Sequence, residues 1–106
     1  MPDAFHPWRM NAEKSYMAQA LEQAELAAAR GEVPVGAVLV DPAIGEVIAA
    51  DGNRTREYDD PTAHAEMLVI RAGAGAKGKE RLNGFDLYVT LEPCPMCAQA
   101  ISFARL

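Results

Sequence analysis

The sequence predicts an α/β domain with three helices and three strands. In some segments apolar residues recur at three- and four-residue spacing, which is typical of amphipathic helices. Other segments are short runs rich in Val and Ile, which are typical of strands. The chain has 106 residues, half of them hydrophobic, which suits one small domain with a packed core. We therefore expect residues 1–106 to form a single domain, with residues 1–10 as a tail.

The first helix is predicted to begin at Asn11, a good N-cap residue, with Glu13 in its first turn. Arg30 and Gly31 are predicted to end it, since a basic last turn and a following glycine are typical of helix ends. The apolar positions between these ends share one face: Met17, Ala20, Leu21, Ala24, Ala27 and Ala28.

A hairpin is predicted next. The apolar run Val33 to Val40 is typical of a strand that is covered on both faces. The sequence DPAIGE then favours a turn, and Val47 to Ala50 forms a second strand. A polar loop, DGNRTREYDD, follows.

The second helix is predicted from about Thr62 to Ala72, with Asp60 or Thr62 as its cap and Pro61 near its start. The next segment, GAGAKGKE, nearly matches a P-loop. Glu80 stands where Ser or Thr would bind magnesium, and the segment follows a helix where a P-loop follows a strand. We expect a flexible surface loop there.

The third strand is predicted over Asp86 to Leu91, and the third helix from Cys94 to about Ala104. A helical crossover precedes this strand, so we expect it to run parallel to one neighbour, in a mixed sheet. Three strands would leave one sheet edge open, and we expect the chain to be truncated after the third helix.

Three residues with metal-binding side chains lie near two helix starts. His64 belongs to the start of the second helix, and Cys94 and Cys97 to the start of the third. In a βαβ arrangement such helix starts can face one point at the sheet edge. One imidazole and two thiolates are three zinc ligands, and a fourth, open position is the pattern of catalytic zinc.

Other interpretations of these residues remain open. Cys94 and Cys97 alone could form a redox pair, or half of a structural zinc site. A structural site needs a fourth ligand, for which only His6 remains. Glu66 suits proton transfer to or from a zinc-activated water, although such a residue is more often a solvated helix residue.

The charge and the distribution of apolar residues argue against several classes of function. The formal net charge is −5, which does not favour nonspecific nucleic-acid binding. No apolar run is long enough to span a membrane, and the N-terminal segment lacks the apolar core of a signal peptide. We therefore expect a cytoplasmic protein with no membrane association, whose cysteines stay reduced.

The pattern H-x-E at His64 to Glu66, followed by P-C-x-x-C at Pro93 to Cys97, is a signature already known for zinc-dependent nucleobase deaminases. From about Ser15 onward, the stretches GEVPVGAVLV, DPTAHAEM and LYVTLEPCPMCA resemble the zinc-dependent cytidine and deoxycytidylate deaminase family, and within it the bacterial tRNA adenosine deaminases. The resemblance implies a three-layer α-β-α fold.

The resemblance also implies a function. One Zn²⁺ per chain would be bound by His64, Cys94 and Cys97, and Glu66 would transfer protons while adenosine at wobble position 34 of a tRNA anticodon loop is hydrolysed to inosine. Asn53 corresponds to a position that contacts the nucleoside, although beside Gly52 it could simply be a turn residue. A homodimer is expected as well.

Two alternatives remain. The chain could deaminate a free base or nucleotide such as guanine, since those deaminases share the histidine ligand. It could instead be an inactive, zinc-stabilised fragment that binds a partner.

Overall fold

A computed structural model describes the backbone of residues 7–106 and the side chains of residues 16–106. Its elements in chain order are α1 (Pro7–Ala29), β1 (Gly36–Asp41), β2 (Glu46–Gly52), α2 (Ala65–Lys77), β3 (Asp86–Val89) and α3 (Pro95–Ala104). The three predicted helices and three predicted strands are therefore all present, with shifted ends.

The strands form one sheet in the order β2-β1-β3, and β1 is antiparallel to both neighbours. The prediction that β3 runs parallel to a neighbour, in a mixed sheet, is wrong for the strands that the structure describes. The crossover through α2 does make β2 and β3 point the same way, but β1 lies between them. Near the start of β1, Gly36 pairs with Gly52 and Ala37 pairs with Val89, so β2 and β3 end at the same sheet edge.

Helices cover both faces of the sheet, which confirms the three-layer α-β-α architecture. On the α1 face, the packed side chains are Tyr16, Ala20, Val38, Val40, Val47 and Tyr88. On the α2 face, the buried core consists of Val35, Ala37, Leu39, Ala65, Val69 and Leu82. Residues 36–40 of β1 are all buried, as predicted for a strand covered on both faces.

Two paired glycines bring α1 close to the sheet. A Cβ at Gly36 would overlap the carbonyl oxygen of Ala20. A Cβ at Gly52 would lie 2.5 Å from the carbonyl oxygen of Gln23. Only glycine permits such an approach of helix backbone to strand backbone. The residues that end β2 and begin β1 at the site edge are thereby held under α1.

The predicted start of α1 is wrong. The helix begins at Pro7, so Asn11 lies inside it rather than at its N-cap. Residues 1–6 of the expected tail lie outside the described part of the chain. The predicted end is confirmed, because α1 ends at Ala29 and Gly31 adopts a φ of 84°.

The hairpin is confirmed, since β1 and β2 pair antiparallel across a turn at residues 42–45. β1 begins at Gly36 rather than Val33. The segment before it turns instead, with the N–H of Val35 donating to the carbonyl of Val33 at 2.8 Å.

The predicted limits of α2 are wrong at both ends. The side chain of Asp60 accepts hydrogen bonds from the N–H and the hydroxyl of Thr62, at 2.8 and 2.7 Å, which holds this segment as a turn. The helix begins at Ala65 and ends at Lys77, and Gly78, with a φ of 66°, is its C-cap. Residues 73–77, predicted as a loop, are therefore helical.

Candidate active site

Both helix starts predicted to carry metal ligands lie at the edge where β2 and β3 end. His64 is the N-cap of α2 and has an extended backbone, with φ −75° and ψ 152°. Cys94 is the N-cap of α3, with φ −70° and ψ 168°, and Pro95 occupies the first turn. Each helix therefore directs its amino-terminal end, which carries partial positive charge, toward this edge.

The structure brings the three predicted ligands together. Nδ1 of His64 lies 3.6 Å from Sγ of Cys94 and 3.5 Å from Sγ of Cys97. The ligand atoms of all three residues lie within 4.8 Å of one another. With Zn–N near 2.0–2.1 Å and Zn–S near 2.3 Å, a tetrahedral zinc would separate nitrogen from sulfur by about 3.6 Å. The donor set and its spacing therefore fit zinc.

The two thiols have different environments. Burial raises the pKa of Cys97 to about 12, and the neighbouring Cys94 and Glu66 add to the rise. The pKa of Cys94 is lowered, chiefly by the backbone N–H of Cys97 at the start of α3. A divalent cation among the three ligands would favour the thiolate form of both, because metal ligation displaces the thiol proton.

Glu66 shares this site with His64 although only one residue separates them. Glu66 lies in the first turn of α2 and is 4% exposed. Its carboxyl group is close enough to Cys97 to contribute to the rise in that thiol's pKa. The site therefore combines three metal-binding groups with one buried carboxyl group.

A pocket of about 220 Å³ opens onto the site. Its wall combines polar groups with apolar side chains, and its lining residues are Val33, Val35, Asn53, His64, Glu66, Leu91, Glu92 and Cys94. A larger groove of about 620 Å³ runs along β3, the edge strand of the described sheet. Of these two, the smaller pocket is the one lined by predicted site residues, namely Asn53, His64, Glu66 and Cys94, while Cys97 is fully buried and does not line it.

Asn53 is buried beside the pocket and is tied to both sides of it. Its N–H donates to the carbonyl of Val35 at 3.1 Å, and its Oδ1 accepts the N–H of Ala65 at 2.8 Å. The side chain of His64 makes no capping hydrogen bond, so Asn53 satisfies the first amide of α2 in its place. Its carboxamide NH₂ group carries the remaining donors.

The sequence analysis missed the residue that supports the loop between Asn53 and His64. Glu32 is 6% exposed, and its carboxylate accepts hydrogen bonds from Thr55, Arg56 and Glu57. The sequence contains one signal for this role: Glu32 lies between a helix-ending glycine and a predicted buried strand. A charged residue that is buried at such a place is almost always paired, which would have predicted a hydrogen-bonding partner for it.

Comparison with known proteins identifies the family. Residues 10–106 match the cytidine and deoxycytidylate deaminase zinc-binding region. The fold and the His-Cys-Cys group thus define a zinc-binding deaminase domain. The chain belongs to the cytidine and deoxycytidylate deaminase family.

Several relatives are named for action on tRNA. The chain is 63% identical over 91 residues to the tRNA-specific adenosine deaminase of Agrobacterium fabrum, covering 86% of this chain and 59% of that protein. The protein of the same name from Bacillus subtilis is 48% identical over 97 residues, covering 92% and 59%. The chain thus spans about six-tenths of the length of these relatives.

Solved structures agree with this fold. One from a study of A-to-I editing by tRNA:A34 deaminases superposes with a TM-score of 0.85 at 61% identity, covering 89% of this chain and 71% of that chain. Guanine deaminase from Bacillus subtilis gives a TM-score of 0.82 at 38% identity, covering 87% and 58%.

The part of the chain that the structure describes contains no candidate membrane-spanning helix. None of its helices has the length and apolar character that crossing a bilayer requires.

Proposed function

We propose that this protein hydrolyses adenosine to inosine at wobble position 34 of tRNA. The observation that carries the proposal is that His64, Glu66 and Cys94 line one pocket, with the ligand atoms of His64, Cys94 and Cys97 within 4.8 Å of one another. The choice of substrate rests on the identities of 61–63% with tRNA adenosine deaminases and a tRNA:A34 deaminase structure.

The proposed cofactor is one Zn²⁺ per chain, held by His64, Cys94 and Cys97. Zinc with an open position supplies an activated water near neutral pH. The two helix starts favour the negative charge of the thiolates, and burial of Cys97 excludes solvent from that side of the site.

Glu66 is the proposed proton carrier. Its buried carboxylate accepts one proton from the attacking water and passes it to the purine ring, then accepts the second proton from the hydroxyl now on the ring carbon and passes it to the departing amine. Water and adenosine are consumed, and inosine and ammonia are formed, so the carboxylate returns to its starting state.

Asn53 is proposed to orient the nucleoside. Since its Oδ1 is held by the N–H of Ala65, its NH₂ group is the part that can donate to a substrate oxygen or nitrogen. The apolar side chains of Val33, Val35 and Leu91 complete a wall suited to a purine ring.

The partners in this proposal are the anticodon loop of tRNA and a second copy of the chain, in the cytoplasm. The net charge of −5 argues against affinity through general phosphate attraction. Recognition would then depend on the shape of the loop and on the target base, with little binding to unrelated RNA.

A guanine deaminase activity is the second candidate, because the guanine deaminase from Bacillus subtilis shares the fold at 38% identity. The test is a competition assay with an anticodon stem-loop containing A34, the same stem-loop with G34, and free guanine. We expect inosine to form in the A34 stem-loop and no ammonia to be released from the G34 stem-loop or from free guanine. Release of ammonia from guanine alone would show that the second candidate is correct.

A further inference from the structure

We infer that Glu32 is a positioning residue that holds the substrate-facing wall of the pocket in place, an inference that rests on the proposed deaminase function. Glu32 lies outside the pocket lining, yet it contacts the loop that carries Asn53 into the pocket.

The carboxylate of Glu32 receives three hydrogen bonds from one turn of the loop. Oε1 accepts the N–H of Arg56 at 3.0 Å and the hydroxyl of Thr55 at 3.3 Å. Oε2 accepts the N–H of Glu57 at 2.8 Å. Hydrogen bonds from backbone amides to an ionised carboxylate are stronger than neutral ones, and they fix the loop backbone itself.

The ionisation state of Glu32 agrees with this arrangement. Burial alone would raise the pKa of its carboxyl group, but the N–H groups of Arg56 and Glu57 and the hydroxyl of Thr55 outweigh burial and lower it. Glu32 is therefore anionic when it accepts these hydrogen bonds at neutral pH.

Backbone hydrogen bonds within the loop link its turn to its two ends. The N–H of Arg54 donates to the carbonyl of Ala63 at 3.0 Å, which joins the residues next to Asn53 and His64. The N–H of Asp60 donates to the carbonyl of Thr55 at 3.0 Å. A shift of the turn at residues 55–57 is thereby transmitted to Asn53, whereas His64 is also held by α2, because its carbonyl accepts the N–H of Leu68 at 3.0 Å.

Two arginines add contacts between the same segments. Arg30 donates to the carbonyl of Asn53 at 3.1 Å, and Arg56 donates to the carbonyl of Gly31 at 2.7 Å. Val33, directly after Glu32, also lines the pocket. Glu32 thus joins two segments that line the pocket, the one at Val33 and the loop after Asn53, whereas Cys94 and Cys97 are placed by α3 and do not contact it.

The experiment compares Glu32→Ala with Val40→Ala, a core variant on the α1 face at the other end of β1. We expect Glu32→Ala to raise KM about tenfold while kcat and zinc content stay close to those of the unaltered protein, because the reacting groups remain in place. Val40→Ala should lose stability without changing KM. Equal KM values for Glu32→Ala and the unaltered protein would overturn the inference.

A second readout does not need catalysis. Hydrogen exchange at the amides of Arg56 and Glu57 should be at least about tenfold faster in Glu32→Ala, and unchanged in Val40→Ala relative to global unfolding. If no deamination of tRNA is found in the unaltered protein, the proposed function fails, and this exchange still tests the role of Glu32. Protection of both amides in Glu32→Ala would show that the loop does not depend on the carboxylate.

Glu32→Gln guards against loss of folding in the alanine variant. Glutamine keeps one oxygen acceptor but places an NH₂ group against one of the loop amides. Its KM and its exchange rates should fall between those of the unaltered protein and Glu32→Ala. A variant with unprotected amides and an unaltered KM would show that the loop does not position the substrate.

Discussion

His64 and Glu66 are two residues apart, a spacing that directs side chains to nearly opposite faces within a regular helix. They share one site here because His64 precedes the helix and has an extended backbone, while Glu66 is in the first turn. A histidine and a glutamate two residues apart can therefore share one site when they lie at a helix start, but not within the helix. This also explains why a shift of the α2 start from Thr62 to Ala65 left the predicted ligand set intact.

The role of Glu66 is tested by Glu66→Gln. The amide keeps the size of the carboxyl group but cannot accept and release a proton at neutral pH. We expect zinc content to be unchanged and deamination of an A34 stem-loop to fall by about 10²- to 10⁴-fold. Retained activity would contradict proton transfer by this residue, and loss of zinc would show a structural role.

Asn53 has two separable tasks, which a pair of variants distinguishes. Asn53→Asp keeps an oxygen to accept the N–H of Ala65, and its negative charge suits a helix start. We expect its stability to stay close to that of the unaltered protein and its KM to rise, because the NH₂ donors are lost.

Asn53→Ala removes the acceptor as well. The unpaired amide of Ala65 should lower the free energy of unfolding by about 1–2 kcal/mol, measured by urea denaturation. If both variants lose stability equally, the hydrogen bond to Ala65 is not what holds the helix start. If neither raises KM, Asn53 does not contact the substrate.

At the scale of elements, α2 shows most clearly where the sequence was misleading. The glycines in GAGAKG suggested a loop, since glycine disfavours helices. Gly73 is instead buried against Leu39 of β1, where a Cβ would overlap the Leu39 side chain. Tertiary contact overrides local preference at this position, and a single sequence contains no sign of it.

Two alanine variants of α2 test this account. Gly73→Ala should lower the free energy of unfolding by about 1–3 kcal/mol, because fully buried Leu39 has little room to move. Gly75→Ala, where a Cβ would meet nothing within 4 Å, should raise it by about 0.5–1 kcal/mol. The measurement is urea denaturation of both proteins, and the same sign for both variants would refute the packing argument.

Helix ends were predictable where local chemistry decides them. Gly31 ends α1 and Cys94 with Pro95 begins α3, because a left-handed residue and an early proline act through the backbone nearby. Asn11 failed as an N-cap, since a good capping residue can equally lie inside a helix. Asp60 and Thr62 failed because the same side chains that cap helices also stabilise turns.

At the scale of the whole molecule, the neighbours of β3 could not be derived from the chain order. A crossover helix fixes the direction of β3 relative to β2, but several sheet positions satisfy that direction. The structure inserts β1 between them. The site was predictable in spite of this, because it requires only that β2 and β3 end at the same edge.

The proposed zinc should also link two helices of the molecule. The ligands come from the starts of α2 and α3, which contact each other beside the sheet. A bound ion stabilises the folded state in proportion to its preference for that state.

The most direct test of the metal centre is the zinc content of the purified protein, measured beside a Cys94→Ala variant. The account predicts close to one zinc per chain in the unaltered protein and loss of that zinc in the variant, with both proteins still folded by circular dichroism. A folded protein without zinc, or a Cys94→Ala variant that keeps its zinc, would contradict the proposed metal centre and the chemistry derived from it.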